Sequence, residues 1–508
     1  MNSGSPRRWP ALLACLFAGM GASMALPPFG VVPMIALLSW PVLVIAGASG
    51  LRAAGLAAGV TGFGWFLASL WWISLSLVTG DTNYWPLLPV PLIGIPLLLA
   101  LFWVPAAVIA HRIGRTPAGR AGWLLLGLAA AEWARGHVAT GFPWNAPGYL
   151  FSAHLTLLQP ASVFGLYGLT LLALAAGFAP AFWILGQRRL AICLVAVLPV
   201  LALVGGLRLA TMPSPSPDVP KLVRLVQPAV PQHEKWDRGL RPGHLQRLQQ
   251  LSRGQVPVPQ LVIWPETAFA GLLDREPELL KAAAWESLPF DGWLITGVPR
   301  FDGQRRLFNS AALMRADGQI EALYDKRRLV PFGEFVPFRP FVPFADAVVG
   351  PIDFSAGSGD RLFTLPHYGK LQLLICYETL FPGVAAGPGP RPDILVNLTN
   401  DAWFGDTPGP WQHLAQARMR AVEEGLPMLR VANTGISAAF GPKGRMLASI
   451  GLGQTGFADI EVPAPLPPTI YARWREGLFL GLLLMLMLVN IGLDRSRPMG
   501  HQGELSAD

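Results

Sequence analysis

The sequence predicts a chain in two parts: a multi-pass α-helical membrane bundle of about eight transmembrane helices, and an α/β domain held outside it. Three observations predict this. Of 508 residues, 52% are apolar and only 14% are charged, with a mean hydropathy of +0.42, whereas an ordinary soluble protein is roughly 25% charged. Apolar stretches near the ~20 residues that a bilayer core requires recur along the first half and once near the end. Beyond a Pro/Ser run at Met212–Asp218, short apolar runs alternate with segments of helical period up to residue 465.

The apolar stretches fall at 10–26, 31–49, 54–79, 85–110, 121–137, 161–186, 190–209 and 477–493. The first follows Arg7-Arg8 and resembles a leader peptide, but a second span follows almost directly, so an uncleaved anchor is expected. The basic residues set the orientation. Arg7 and Arg8 precede the first span, Arg52 follows the second, and Arg112, Arg115 and Arg120 follow the fourth. Arg188 and Arg189 follow the sixth, and Arg495 and Arg497 the eighth. Positive charge collects on the cytoplasmic side. Both termini are therefore expected in the cytoplasm and residues between spans seven and eight outside, which in a bacterium with two membranes means an inner-membrane protein with a periplasmic domain. The division expected is a bundle of seven helices over 1–210, a linker at 211–219, an outer domain over 220–465, and a closing helix with a cytoplasmic tail over 466–508. The fifth span is the most polar: Glu132, Arg135, His137, Trp144 and Asn145 cluster near its outer end. Ionisable groups at membrane depth face protein or water. This cluster reads either as a satisfied interhelix contact or as a surface that holds a headgroup or docks the outer domain.

In the outer domain, strands are expected at 222–226, 261–264, 293–297, 311–314, 371–376, 394–397 and 429–432. Helices are expected at 240–253 and 411–425, the latter with an exposed charged face. A chain of this length can bury a sizeable α/β core. Three stretches carry chemistry at strand ends, where α/β folds collect their sites. Leu371–Glu378 (LQLLICYE) is an apolar run that ends on Cys376. Leu261–Thr267 (LVIWPET) places Glu266 just past a strand tip. Tyr324–Glu334 (YDKRRLVPFGE) carries Lys326 and Glu334. Taken alone, a buried cysteine is more often an inert core residue, and a Glu or Lys at a strand end more often a plain ion pair. Together they form a base, a cation and a thiol. A carboxylate can take the thiol proton as sulfur attacks a carbonyl. An ammonium and the backbone N–H of Tyr377 can stabilise the oxyanion that follows.

These three motifs, in this order and inside this arrangement of spans, resemble the nitrilase superfamily and, within it, the apolipoprotein N-acyltransferase family. The resemblance implies an αββα sandwich for 220–465 and a Glu266–Lys326–Cys376 triad. It implies transfer of an acyl chain from a phospholipid, usually phosphatidylethanolamine, through a Cys376 thioester to the amine of a diacylglyceryl-cysteine in an apolipoprotein, without a cofactor. It also implies supporting or substrate-binding roles for Trp236, Glu334, Tyr377, Glu378, Asn400 and Trp403, with Asp401 beside them. From the residues themselves, the six phenylalanines at 332, 335, 338, 341, 344 and 354 suggest an arm that lies on a bilayer or lines an acyl path; the alternative is packing on the domain's own core. Two other functions compete. A tethered amidase would need one span rather than eight, and a transporter with an outer receptor leaves the Glu–Lys–Cys set unexplained. No Cys/His cluster points to a metal, and no basic run interleaved with aromatics points to nucleic acid.

Overall fold

The computed structural model describes residues 8–79, 84–211, 221–254, 258–341, 350–383 and 389–495. Most of the 211–219 linker, the tail beyond Arg495, and Phe344 lie outside the described residues. Each apolar stretch folds as helix. Four helical stretches, Leu51–Leu77, Trp85–Ile113, Ala161–Ile184 and Arg188–Thr211, are long and apolar enough to cross a membrane. Three shorter apolar ones, Trp9–Ala25, Val32–Ala46 and Gly477–Gly492, lie beside them. The helix Pro117–His137 completes the set. Its Glu132 and Arg135 are buried and paired to each other.

The α/β domain is a four-layer sandwich of two six-stranded sheets. Its strands are β1 (Leu222–Gln227), β2 (Leu261–Ile263), β3 (Trp293–Phe301), β4 (Leu307–Arg315), β5 (Ile320–Asp325), β6 (Leu362–Leu365), β7 (Gly369–Ile375), β8 (Ile394–Thr399), β9 (Met428–Ala432), β10 (Ser437–Phe440), β11 (Met446–Ile450) and β12 (Gly456–Glu461). One sheet runs β12-β1-β2-β3-β4-β5 and the other β11-β10-β9-β8-β7-β6. The two-residue period of a strand sorts the side chains. Val223, Leu225, Ile263, Ile295, Leu371, Leu373, Ile375, Val396 and Val431 point between the sheets. On the outer face of the first sheet, Val262 and Leu294 meet Leu248 and Leu280 from helices Arg241–Arg253 and Pro277–Ser287. On the outer face of the second, Leu374 and Leu395 meet Leu414 and Ala417 of helix Pro408–Glu424. All seven expected strands are present. The short strand expected before Lys326 is β5, whereas β6 and β10–β12 were not expected.

The charged face of helix Pro408–Glu424 is not exposed, contrary to the sequence expectation. Arg420, Glu423 and Glu424 are fully buried because this face packs on the membrane bundle. Arg420 donates to the carbonyl of Leu380 and pairs with Glu423, and Glu423 accepts from the N–H of Leu166 in the bundle. Gln412, on the same helix, gathers three bundle donors on its Oε1: Trp72 Nε1 at 3.1 Å, Trp144 Nε1 at 3.0 Å and Asn145 Nδ2 at 3.2 Å. The Glu132–Arg135 cluster is one step behind. Trp103 donates to Glu132, and Arg135 donates to the carbonyls of Phe142 and Trp144. The polar cluster at the outer end of this helix therefore braces the loop on which the domain sits. A buried donor left without a partner costs about 1–3 kcal/mol. Gln412→Leu should accordingly lower the melting temperature by several degrees. Trp72 Nε1 and Asn145 Nδ2 also reach the Ser69 carbonyl, at 3.0 and 2.9 Å, so equal melting of Gln412→Leu and the parent would show that the Trp144 N–H finds another partner.

Candidate active site

Cys376 stands directly after β7 and opens the 3-10 turn Cys376–Leu380 with φ of +47°. A non-glycine residue in this left-handed region costs roughly 1–2 kcal/mol, so the surroundings must hold it. The Thr379 hydroxyl donates to the Cys376 carbonyl at 3.0 Å, and His413 Nε2 lies 3.1 Å from the same oxygen. Behind His413, Nδ1 is 2.8 Å from Asp401 Oδ1. Arg430 holds Asp401 Oδ2 at 2.5 Å and Asn397 Oδ1 at 2.7 Å. Burial alone would raise the Asp401 carboxyl, but Arg430 and His413 outweigh it and hold it at about 2. In a trans peptide the C=O and the following N–H point in opposite directions. The groups that fix the Cys376 carbonyl therefore also fix the direction of the Tyr377 N–H.

Three further groups converge on the same end of the sandwich. Glu266 follows β2 and is buried, as are Lys326, just after β5, and Glu334. Lys326 Nζ lies 2.9 Å from Glu334 Oε1 and 3.6 Å from Glu266 Oε1. Asn309 of β4 donates its single Nδ2 to both carboxylates, at 2.7 Å to Glu266 and 2.8 Å to Glu334. The Val330 N–H donates to Glu334 Oε2 at 2.8 Å. Burial on its own would lower the Lys326 ammonium, but the Glu334 and Glu266 carboxylates outweigh it and push it well above the ordinary lysine range. Lys326 is thus a fixed cation and donor, not a base. The Cys376 thiol feels burial first and then the Glu266 carboxylate, and is pushed up to about 12 despite Lys326. At neutral pH it is a thiol, so any attack by its sulfur requires a base to take the proton.

The other expected residues take different positions. The Glu378 carboxylate accepts from the Tyr324 hydroxyl at 2.7 Å and from the N–H groups of Ile375 at 2.7 Å and Arg327 at 2.9 Å. It ties the Lys326 segment to the Cys376 turn rather than facing open space, and burial raises its pKa. The Tyr377 side chain turns into the bundle, donating to the Gly141 carbonyl at 2.7 Å and stacking on Phe142; its backbone alone is left for the site. Asn400 donates to Gln232 and accepts from Asn433, fixing the 229–235 segment. Trp236 and Trp403 are half-exposed, at 47% and 40%. In the aromatic arm, Phe332, Phe338 and Phe341 are exposed while Phe335 and Phe354 are half-buried.

Sequence reading missed Asn309, Lys235, His413 and Arg430. Asn309 had a signal: it is the polar interruption of an apolar strand, LFNSAALM. Lys235 stands beside Trp236 in the KWD stretch. His413 and Arg430 had no local mark. The arrangement supports attack by a thiol whose proton passes to a carboxylate. Glu266→Gln should therefore slow iodoacetamide alkylation of Cys376 at neutral pH by about 10²-fold, read by peptide mass on a folded variant. An unchanged rate would show that the thiol ionises without Glu266.

Comparison with known proteins bears on both parts of the chain. Residues 222–466 match the carbon-nitrogen hydrolase family, and residues 18–179 match the apolipoprotein N-acyltransferase N-terminal domain. The chain is 39% identical to the apolipoprotein N-acyltransferase of Rhodopseudomonas palustris, covering 97% of this chain and 96% of that one. It is 40% identical to that of Bradyrhizobium diazoefficiens, covering 92% and 91%, and 35% identical to that of Brucella melitensis, covering 96% of each. With its bundle and its nitrilase-like sandwich both matched, and relatives similar from end to end, the chain belongs to the apolipoprotein N-acyltransferase family.

Proposed function

We propose that this protein transfers a fatty acyl chain from a phospholipid, through a thioester on Cys376, to the N-terminal amine of a diacylglyceryl-cysteine in an apolipoprotein, the last step of lipoprotein maturation. The observation that carries this reading is a thiol, a carboxylate and a fixed ammonium gathered at one end of a sandwich whose nucleophile turn is seated on an apolar helical bundle. In the first half-reaction Glu266 takes the thiol proton as sulfur bonds to the ester carbonyl carbon. Lys326 and the Tyr377 N–H stabilise the oxyanion. The C–O bond then breaks, Glu266 returns the proton to the leaving alkoxide, and a lysophospholipid departs. In the second half-reaction the amine attacks the thioester, the C–S bond breaks, and Glu266 takes a proton from the amine and returns one to the thiolate. One nucleophile serving two substrates in turn gives ping-pong kinetics.

The same reading sets the surroundings. The four long apolar helices, the three shorter ones and Pro117–His137 form eight spans in the inner membrane of a bacterium. Basic residues Arg52, Arg112, Arg115, Arg120, Arg188 and Arg189 lie on one set of loops, which supports cytoplasmic termini and a periplasmic domain. The division is a bundle over 1–210, a linker at 211–219, a catalytic domain over 220–465 and a closing segment over 466–508. The donor is phosphatidylethanolamine, and the arm around Phe338 and Phe341, which are 81% and 84% exposed, rests on the bilayer. Trp236, Trp403 and the Asn400 loop border the acceptor's approach.

Two measurements test this. Protein incubated with phosphatidylethanolamine vesicles and no acceptor should carry a long-chain acyl mass on the Cys376 peptide, which is lost on adding diacylated lipopeptide and absent in Cys376→Ala. Transfer by Cys376→Ala, or a short-chain adduct alone, would sink the reading. Burying one Phe side chain contributes about 1.5–3 kcal/mol, so Phe338→Ser with Phe341→Ser should lower transfer from vesicles by about 10-fold or more with the melting temperature unchanged. Equal transfer would remove the arm from the lipid path.

A further inference from the structure

Lys235 is a buried ammonium that the chemistry above does not use. It is 3% exposed, in the segment that follows β1. Its Nζ donates to the Glu266 carbonyl at 3.1 Å and to the Thr267 hydroxyl at 2.7 Å. Both partners are neutral oxygens. Burying a charge against neutral groups is costly unless a counter-charge lies near, and here the counter-charges are at the candidate site.

The turn it holds is strained. Thr267 has φ of +44°, an outlier for a β-branched residue. On its other side the turn is wedged against β3: a Cβ placed on Gly297 would lie 2.3 Å from Thr267 N and 2.6 Å from both Glu266 Cα and the Pro265 carbonyl. Glu266 is thus aimed from two sides, by a glycine that lets the strand approach and by an ammonium that grips the carbonyl. Charge gives the second argument. Glu266 and Glu334 face one cation, Lys326. Moving a proton from Cys376 to Glu266 relocates a negative charge within this cluster but does not remove it. A second cation is needed for balance in a buried site.

We propose that Lys235 is a positioning residue for acyl transfer: its ammonium fixes the Pro265–Thr267 turn that aims Glu266, and supplies the second positive charge against which negative charge develops on Cys376 and on the reacting carbonyl oxygen. This rests on Glu266 and Cys376 being base and nucleophile. Burial lowers the Lys235 ammonium to about 8, with the negative charges of Glu266 and Cys376 opposing the shift. The groups facing it are Glu266 from the end of β2 and Cys376 from the end of β7, with Lys326 and Glu334 beyond Glu266. On its own segment His233 and Glu234 pair with each other at 3.6 Å in the exposed surface. Because the active form is the charged one, acylation should fall as pH rises through about 8.

The test uses the full chain in detergent, from about pH 6 to about pH 9.5, with two acyl donors: p-nitrophenyl butyrate, read as a burst of nitrophenolate, and phosphatidylethanolamine, read as acyl mass on Cys376. Lys235→Met should acylate about 10²-fold more slowly at neutral pH and lose the alkaline limb. Lys235→Arg, which stays charged, should recover part of the rate and move that limb upward. A Met variant with the parent's rate, or with the parent's alkaline limb, overturns the proposal. Should Lys235→Met not fold, Thr267→Val takes its place: loss of one of the two partners should slow the burst and shift the limb, and a parent-like profile overturns the proposal equally. Acylation of the parent by the soluble ester but not by the phospholipid would sink the proposed donor while leaving the Lys235 result standing; no burst from either would remove Cys376 as nucleophile and the proposal with it.

Discussion

Cys376 sits on a seam between two hydrophobic cores, and most of the site depends on that seam staying closed. The residues before it, Leu371, Leu373 and Ile375, are packed between the two sheets of the sandwich. Tyr377, Leu380 and Phe381, just after it, belong to the core of the helical bundle. The strand fixes where the thiol starts, and the bundle fixes how the chain turns away. A left-handed cysteine is costly by itself, and it persists because neither flanking segment can relax without exposing apolar surface. The bundle is therefore part of the scaffold of the site and not merely a tether.

The polar groups follow the same logic at shorter range. Each group is held by a partner that has its own anchor. Lys326 is held by Glu334, Glu334 by the Val330 N–H and Asn309, and Asn309 by its place in β4. Glu378 draws the Lys326 segment and the cysteine turn onto one carboxylate. Buried charges at this density are tolerated only when nearly every lone pair and proton is used, and such sites are rigid. Rigidity matters for a thiol pushed up to about 12. In the proposed attack its proton would leave in the same step, and a base displaced by an ångström would not serve.

How much of this was legible in the sequence depended on whether the signal was local. The strands that carry Glu266 and Cys376 could be read because each is a short apolar run bounded by turn residues, and the chemistry stands at the tip. β10 was not, since Ser437–Phe440 is small and short and gains its strand character only from pairing with β9 and β11. The helix Pro408–Glu424 was found, but its charged face was assigned to solvent. Arg420, Glu423 and Glu424 have the spacing of a solvated face, and only the bundle opposite shows that they are an interface. His413 and Arg430 were out of reach for the same reason: a residue that acts through a distant partner has no pattern along the chain.

The bundle's contribution can be followed residue by residue. Trp103 donates to Glu132, Glu132 pairs with Arg135, and Arg135 holds the carbonyls of Phe142 and Trp144. Phe142 stacks on Tyr377, and the neighbouring Gly141 carbonyl takes the Tyr377 hydroxyl. An ion pair buried within the bundle is expensive to maintain. Here it holds the Phe142–Trp144 loop, on which Tyr377, the residue after Cys376, packs. A tethered soluble enzyme has no use for such a chain of contacts. An enzyme that acts on a phospholipid and a lipoprotein does, because the apolar bundle and the turn that carries Cys376 are then held together.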